Sequence, residues 1–459
     1  MPLLWTLIVI LAIAAIGYWL GRSRAMQSAG HSTRALHSLP GYYGWNVAIW
    51  AMAPAFLLIL VWLVIQPAYV NHIALQALGD AAQNSGSASL LLADVHRMAD
   101  QLAAGSAISA EGPTAAAAQL SFAANTAGRM WMSIAAIALA LAGTAYAWSR
   151  TNAQFRARPR VEAAVRTLLI ASASIAILTT VGIVVALIFN TIAFFQAYPA
   201  LDFFFGLTWS PSAGGVNSRL GILPLLWGTL YISFIALLVA VPLGLFSAIY
   251  LSEYASPRIR AIGKPMLEVL AGIPSIVYGL FALIVVGPLL MSWFSPTGML
   301  GLGWMRGGTA VITAGVVMGI MIIPFVSSLS DDIINAVPQS LRDGSLGLGA
   351  TRSETIRQVV LPAALPGIAG AILLAASRAI GETMIVVMGA GAAGVLSLNP
   401  FDAMTTVTAK IVSQLTGDAD FSSPEALVAF SLGMTLFVIT LGLNVLAMAI
   451  VRKYREQYE

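Results

Sequence analysis

Within the apolar run 363–391 two side chains are ionisable, Arg378 and Glu382. An ionisable group in a membrane-length segment costs at least roughly 2.5–3.5 kcal/mol on insertion scales, and such groups face a bundle interior or an aqueous path. The segment reads as a helix over 365–391, with Arg378 about 13 residues in. At about 1.5 Å per residue that is near mid-membrane. Spacing of four residues puts both side chains on one helical face. The arginine fork matches a tetrahedral oxyanion, and Glu382 can hold Arg378 in position or hydrogen-bond a protonated anion. The same spacing also suits an ion pair that only fixes packing, so the residues alone leave both readings open. Gly381, between them, is expected to let another backbone approach closely. On the first of these readings the chemistry is passage of an anion rather than bond making.

Just upstream, 331–362 is polar and short. Pro338 suits the first turn of a helix, and Gly349 is expected to stop that helix in a left-handed conformation. Thr351-Arg352-Ser353-Glu354 has the form of a capping box. Ile356, Val359 and Val360 follow at helical spacing, and Leu361-Pro362 is expected to end the second helix. Two short helices around Gly349 are therefore predicted. Their apolar stripe either meets a partner or packs on the chain's own membrane ends.

The elements that must carry these residues are helices. The chain has 459 residues, 59% hydrophobic and 9% charged, where soluble domains run near 25% charged. Nine spans are predicted, near 3–20, 46–66, 130–148, 166–194, 222–250, 266–291, 309–328, 365–391 and 426–451. Each suits a hydrocarbon layer of about 30 Å. Loops on one side carry 17 Lys and Arg, those on the other 5, and the sign alternates loop by loop. That places the amino terminus outside and the carboxyl terminus inside. The first span lacks the flanks of a signal peptide. The net charge of +4 sets topology and does not point to nucleic acid. Without cysteine there is no thiol nucleophile, and His31, His37, His72 and His96 make no spaced metal-ligand pair. The fold class is all-α integral membrane. An extension over 1–165, with three spans and an external Ala-rich segment 67–129, precedes a six-helix unit over 166–459. Glu268 reads as an acid at the inner interface, and Trp209 and Trp227 as interfacial anchors.

The 331–362 stretch resembles the cytoplasmic coupling loop of binding-protein-dependent ABC transporter permeases. The matching positions are Asp343, Gly344, Ser345, Gly349, Val359, Leu361 and Pro362. Asp343 stands where Glu is usual, and Gly344 and Ser345 where Ala is usual. Gly344 weakens that helix by about 1 kcal/mol. The run SRAIGETMIVV, with TWSPSAGG at 208–215, 222–244 and 265–283, is similar to the permeases of the phosphate-specific Pst system, C-type subunit, more than to the related A-type. The resemblance covers about 200–459. It implies a type I importer core in the last six helices and a substrate pathway including Arg378 and Glu382. It also implies a homologous A-type permease partner, ATPase subunits on the coupling loop, and a periplasmic phosphate-binding protein, in a bacterial inner membrane. No Gly-x-x-x-x-Gly-Lys-Ser/Thr run is present, so ATP and magnesium are expected on a partner ATPase and no cofactor on this chain. The rivals are a permease for another oxyanion (sulfate, molybdate or phosphonate), a scaffold or sensor, and a secondary transporter using Arg378–Glu382 as a proton relay.

Overall fold

The computed structural model describes residues 3–79, 88–104, 112–212, 218–417 and 424–454. Parts of the external segment (80–87 and 105–111), of the TWSPSAGG run (213–215) and of the tail (455–459) lie outside the described residues. Among those described, nine helices are long and apolar enough to cross a membrane: Leu3–Ser28, Pro40–Leu78, Pro113–Arg150, Ala157–Ala197, Leu223–Tyr254, Ser275–Phe294, Val311–Asn335, Arg352–Ile380 and Ala426–Lys453. The chain divides into two compact units, Met1–Leu178 and Thr179–Glu459. The division falls inside the helix Ala157–Ala197, later than the 165/166 boundary read from composition.

In the first unit, small residues bring the helices together. A side chain at Gly143 would meet the Trp50 carbonyl, and one at Gly21 would meet Val47 and the Tyr43 carbonyl. Polar groups between the helices pair: buried Thr6 with Ser133 at 2.8 Å and half-buried Gln66 with Asn125 at 2.7 Å, while the Trp62 indole nitrogen is buried without a hydrogen-bond partner among the described residues. The predicted external periodicity is realised over Ala88–Ala103, where Leu91, Val95 and Met98 pack with Ala74, Leu78, Ala117 and Ala118.

The second unit is built around Val311–Asn335. It lies against Leu223–Ile249 at glycine contacts: a side chain at Gly319 would sit 2.8 Å from Val239, and one at Gly315 2.7 Å from Ile235. Small residues at such seams let apolar helices approach where lipid offers no hydrophobic drive. Three departures from the predicted helices matter. The 266–291 span is two helices, Pro257–Ala271 and one starting at Ser275, because Gly272-Ile273-Pro274 interrupts it. Leu361-Pro362 does not end a helix. The span Arg352–Ile380 runs through it, with a π turn over Ile356–Val360 immediately before Leu361-Pro362. The 365–391 helix stops at Ile380, is capped by Gly381, and restarts as Met384–Gly389.

After Gly389 the chain forms a non-helical hairpin. Its backbone is satisfied internally, with Met404 N–H donating to the Ala390 carbonyl at 3.0 Å and Thr405 N–H to Ala393 at 2.9 Å. Trp227 donates its indole N–H to the Ser397 carbonyl at 2.7 Å. Trp209 is 9% exposed, in a core with Phe194, Phe203, Leu220 and Leu225. Trp227 is half-buried beside the hairpin, and Trp209 belongs to the β-pair Trp209–Ser210 with Arg219–Leu220.

Candidate functional site

The helix break decides the geometry around Arg378 and Glu382. Once Gly381 ends the helix, Glu382 leaves the face that carries Arg378. Its Oε1 instead accepts from the backbone N–H groups of Thr383 and Met384, both at 3.1 Å. A carboxylate satisfying these orphan donors stabilises the start of Met384–Gly389. The Glu382 carbonyl accepts from Thr408 Oγ1 at 2.9 Å, tying the break to Val407–Gly417. The i,i+4 ion pair inferred from spacing is therefore not formed. Gly381 serves the helix end and not a close backbone approach: only its own helix's Ser377 and Arg378 carbonyls lie near its added side chain.

Arg378 lies over the ring of Phe325, 5.6 Å from its centroid, and lines a cavity of about 340 Å³ with Lys264, Glu268, Ser327, Ser328 and Asp331. Among the described residues no carboxylate lies within 4.0 Å of its guanidinium. Asp331, its side chain 5% exposed, is neutralised in place by Lys264 Nζ at 2.9 Å and Arg260 at 3.2 Å. Asn335 Nδ2 adds a hydrogen bond at 2.9 Å. The bond to Asp331 holds the Lys264 ammonium above the usual lysine range, against burial, which lowers it. The free carboxylate sharing the cavity with Arg378 is thus Glu268, which is exposed and without an ion pair among the described residues. The available signal was spacing. Arg260, Lys264 and Glu268 recur every fourth residue on one face of Pro257–Ala271.

The second assembly is the loop 338–360. Gln339–Gly347 is helical, and Gln339 Nε2 donates to Asp343 at 3.0 Å. Gly344 is exposed and crowded by nothing. Gly349 turns the chain at φ +90°, a conformation that favours glycine. The capping box forms, with Thr351 and Glu354 exchanging backbone hydrogen bonds. Ser345 Oγ and Thr355 Oγ1 join the two helices at 3.0 Å. Ile356 and Val360 are buried, Val359 and Leu361 half-buried and Pro362 exposed. Val360 packs with Ala248, Ile334, Val337, Ala364 and Ile368. The stripe therefore packs on the chain's own helices. The exposed large apolar side chains here are Leu346, at 47%, and Leu348, beside Gly349, at 91%.

The anchor of this loop lies outside it in sequence and carries no spacing signal. Glu253, in the π turn Tyr250–Tyr254 that closes the Leu223–Tyr254 span, accepts at its carboxylate from Arg342 and at its carbonyl from Arg352. Arg342 also donates to the Ile334 carbonyl at 2.7 Å, and Arg352 lies over Tyr254 at 5.5 Å. The acid and Arg342 are 9% and 13% exposed. Two arginines of the loop thus grip one acid at the end of a membrane helix.

Residues 7–179 match a family described as phosphate ATP-binding cassette transporter. Residues 240–456 match one described as binding-protein-dependent transport system inner membrane component. The phosphate transport system permease protein PstC of Mesorhizobium japonicum is 39% identical over 259 residues, 54% of this chain and 78% of that protein. The probable ABC transporter permease protein YqgH of Bacillus subtilis is 35% identical over 240 residues, 52% and 74% respectively. Among solved structures, a bacterial alginate ABC transporter with its pentasaccharide-bound periplasmic protein is similar at 16% identity and TM-score 0.45, over 63% of this chain and 96% of that one.

Proposed function

The chain belongs to the PstC family of phosphate transport system permease proteins, and we propose from that membership how its residues divide the work of import. It is a transport subunit of an ATP-driven phosphate importer, not an enzyme. It is a multi-span membrane permease of a bacterial transport system and works with an ATPase and a binding protein. In our reading the partners are a homologous A-type permease, a pair of ATPase subunits holding ATP and magnesium, and a periplasmic phosphate binder, with no cofactor on this chain. The amino terminus is outside and the carboxyl terminus inside, by the distribution of Lys and Arg.

Arg378 attracts the anion in the cavity below the helix break. Supporting this is its guanidinium, open to a cavity and without a counter-ion among the described residues. Glu382 acts by capping the restarted helix, fixing the break from which the pathway wall is built. The loop 338–360 receives the ATPase through Leu348 and the turn at Gly349, with Asp343, Gly344 and Ser345 on the first short helix. Val359, Leu361 and Pro362 pass movement on to Leu361–Ile380. The Arg342–Glu253–Arg352 grip carries the same movement to Leu223–Tyr254.

Uptake of labelled phosphate by vesicles holding the assembled transporter tests the reading. Arg378→Ala abolishes uptake while the ATPase still co-purifies, and Arg378→Gln does the same with less loss of volume. Excess sulfate leaves wild-type uptake unchanged. Uptake by either variant at the wild-type level makes the arginine a packing residue. Competition by sulfate as strong as by phosphate moves the permease to a broader oxyanion class.

A further inference from the structure

One end of the amino-terminal unit carries far more charge than the chain as a whole. Segments 21–43 and 149–166 hold eight arginines and one carboxylate, Glu162, in a protein of net charge +4. The two segments form one plate. His37 N–H and the Tyr43 hydroxyl both donate to the Ala153 carbonyl at 3.2 Å, and Arg158 N–H donates to Ser38 Oγ at 3.2 Å. Ala25, Tyr43 and Ala157 share a buried cluster beneath. Among the described residues only Arg158 of the eight has a carboxylate partner, Glu162 at 2.6 Å.

Three of the arginines are braced on aromatic faces: Arg24 on Trp148 at 4.1 Å, Arg150 on Tyr146 at 5.6 Å and Arg160 on Phe155 at 4.8 Å. Arg24 also donates to the Ser149 carbonyl at 3.5 Å. A topology signal needs only the number of cations. Here their forks are held in place beside a belt of exposed tryptophans, Trp19, Trp45 and Trp148, which is the depth of lipid headgroups.

We propose that this plate, centred on Arg24, Trp148 and Arg150, binds the phosphodiester of anionic phospholipid headgroups. Arginine forks match phosphate oxygens in pairs, and basic clusters at membrane-helix ends are drawn to anionic lipid. The tryptophan belt favours lipid over an acidic protein, which would meet the plate from the aqueous side. The inference is independent of the transport reading.

The test uses the full chain in neutral detergent with dioleoyl phosphatidylglycerol, dioleoyl phosphatidylcholine or inorganic phosphate. Lipid adducts are read by native mass spectrometry and stability by thermal unfolding. Phosphatidylglycerol stays bound and raises the unfolding midpoint, whereas phosphatidylcholine and inorganic phosphate do neither. The double variant Arg24→Gln, Arg150→Gln binds phosphatidylglycerol on the order of thirty-fold more weakly. Arg452→Gln with Lys453→Gln, in the last helix, changes nothing. If the first pair fails to fold, Arg156→Gln with Arg160→Gln, on exposed positions of the same plate, gives the same weakening. Equal retention of phosphatidylcholine, the same shift from inorganic phosphate, parental affinity in the plate variants, or an acidic protein held with no preference between the lipids overturns the proposal.

Discussion

Leu348 offers the sharpest test of the coupling loop, because its contribution inside this chain is close to nothing. It is 91% exposed and stands between the end of Gln339–Gly347 and the left-handed turn at Gly349. Removing an exposed side chain leaves folding nearly unchanged, within about 0.5 kcal/mol. If a partner's groove encloses it, Leu348→Ala gives up about 2 kcal/mol of apolar burial, roughly thirty-fold in affinity. The assay is ATPase binding to detergent-purified permease, paired with thermal unfolding of the permease alone. The expected result is weaker binding and slower ATP-driven uptake at an unchanged unfolding midpoint. Leu348→Met, which keeps apolar volume, restores most of the affinity. Unaltered binding by the alanine variant, or a fall in the permease's own stability, refutes the claim that this leucine faces outward to meet the motor.

Three further outcomes follow from the same geometry. Gly349→Pro uncouples uptake from ATP hydrolysis, since proline fixes φ near −65° where the turn needs +90° and removes the N–H that donates to Leu346 at 3.0 Å; full ATP-driven uptake with intact co-purification counts against it. Arg342→Ala leaves buried Glu253 unpaired and costs on the order of 3–5 kcal/mol, read as a lowered unfolding midpoint that Glu253→Gln in the same chain partly restores. The third concerns pH. Lys264 is raised in the fold by its hydrogen bond to Asp331, so its contribution is complete below the ordinary lysine value of about 10.5 and is lost as pH rises through the raised value. Wild-type protein therefore loses stability relative to Lys264→Gln only in the alkaline range, measured as the difference in unfolding midpoints between pH 8 and pH 11; a constant difference rules the link out.

The helices were legible in the sequence because lipid imposes one demand, internal satisfaction of every backbone group, and long apolar runs meet it in one way. The breaks were less legible, since a membrane segment tolerates Pro and Gly whenever neighbours re-satisfy the freed groups. Pro362 reads as a terminator, yet the span Arg352–Ile380 runs through it just after a π turn. Gly381 reads as a packing residue but ends a helix. That single difference relocates a carboxylate. On an unbroken helix Glu382 would neutralise Arg378, and a neutralised arginine has little left for an anion. With the helix ended at Ile380, Glu382 spends its oxygen on Thr383 and Met384, and Arg378 keeps its charge for the cavity. The break is therefore what keeps the carboxylate off the guanidinium, and Gly381, the residue that ends the helix, decides that Arg378 faces its cavity without an ion pair among the described residues.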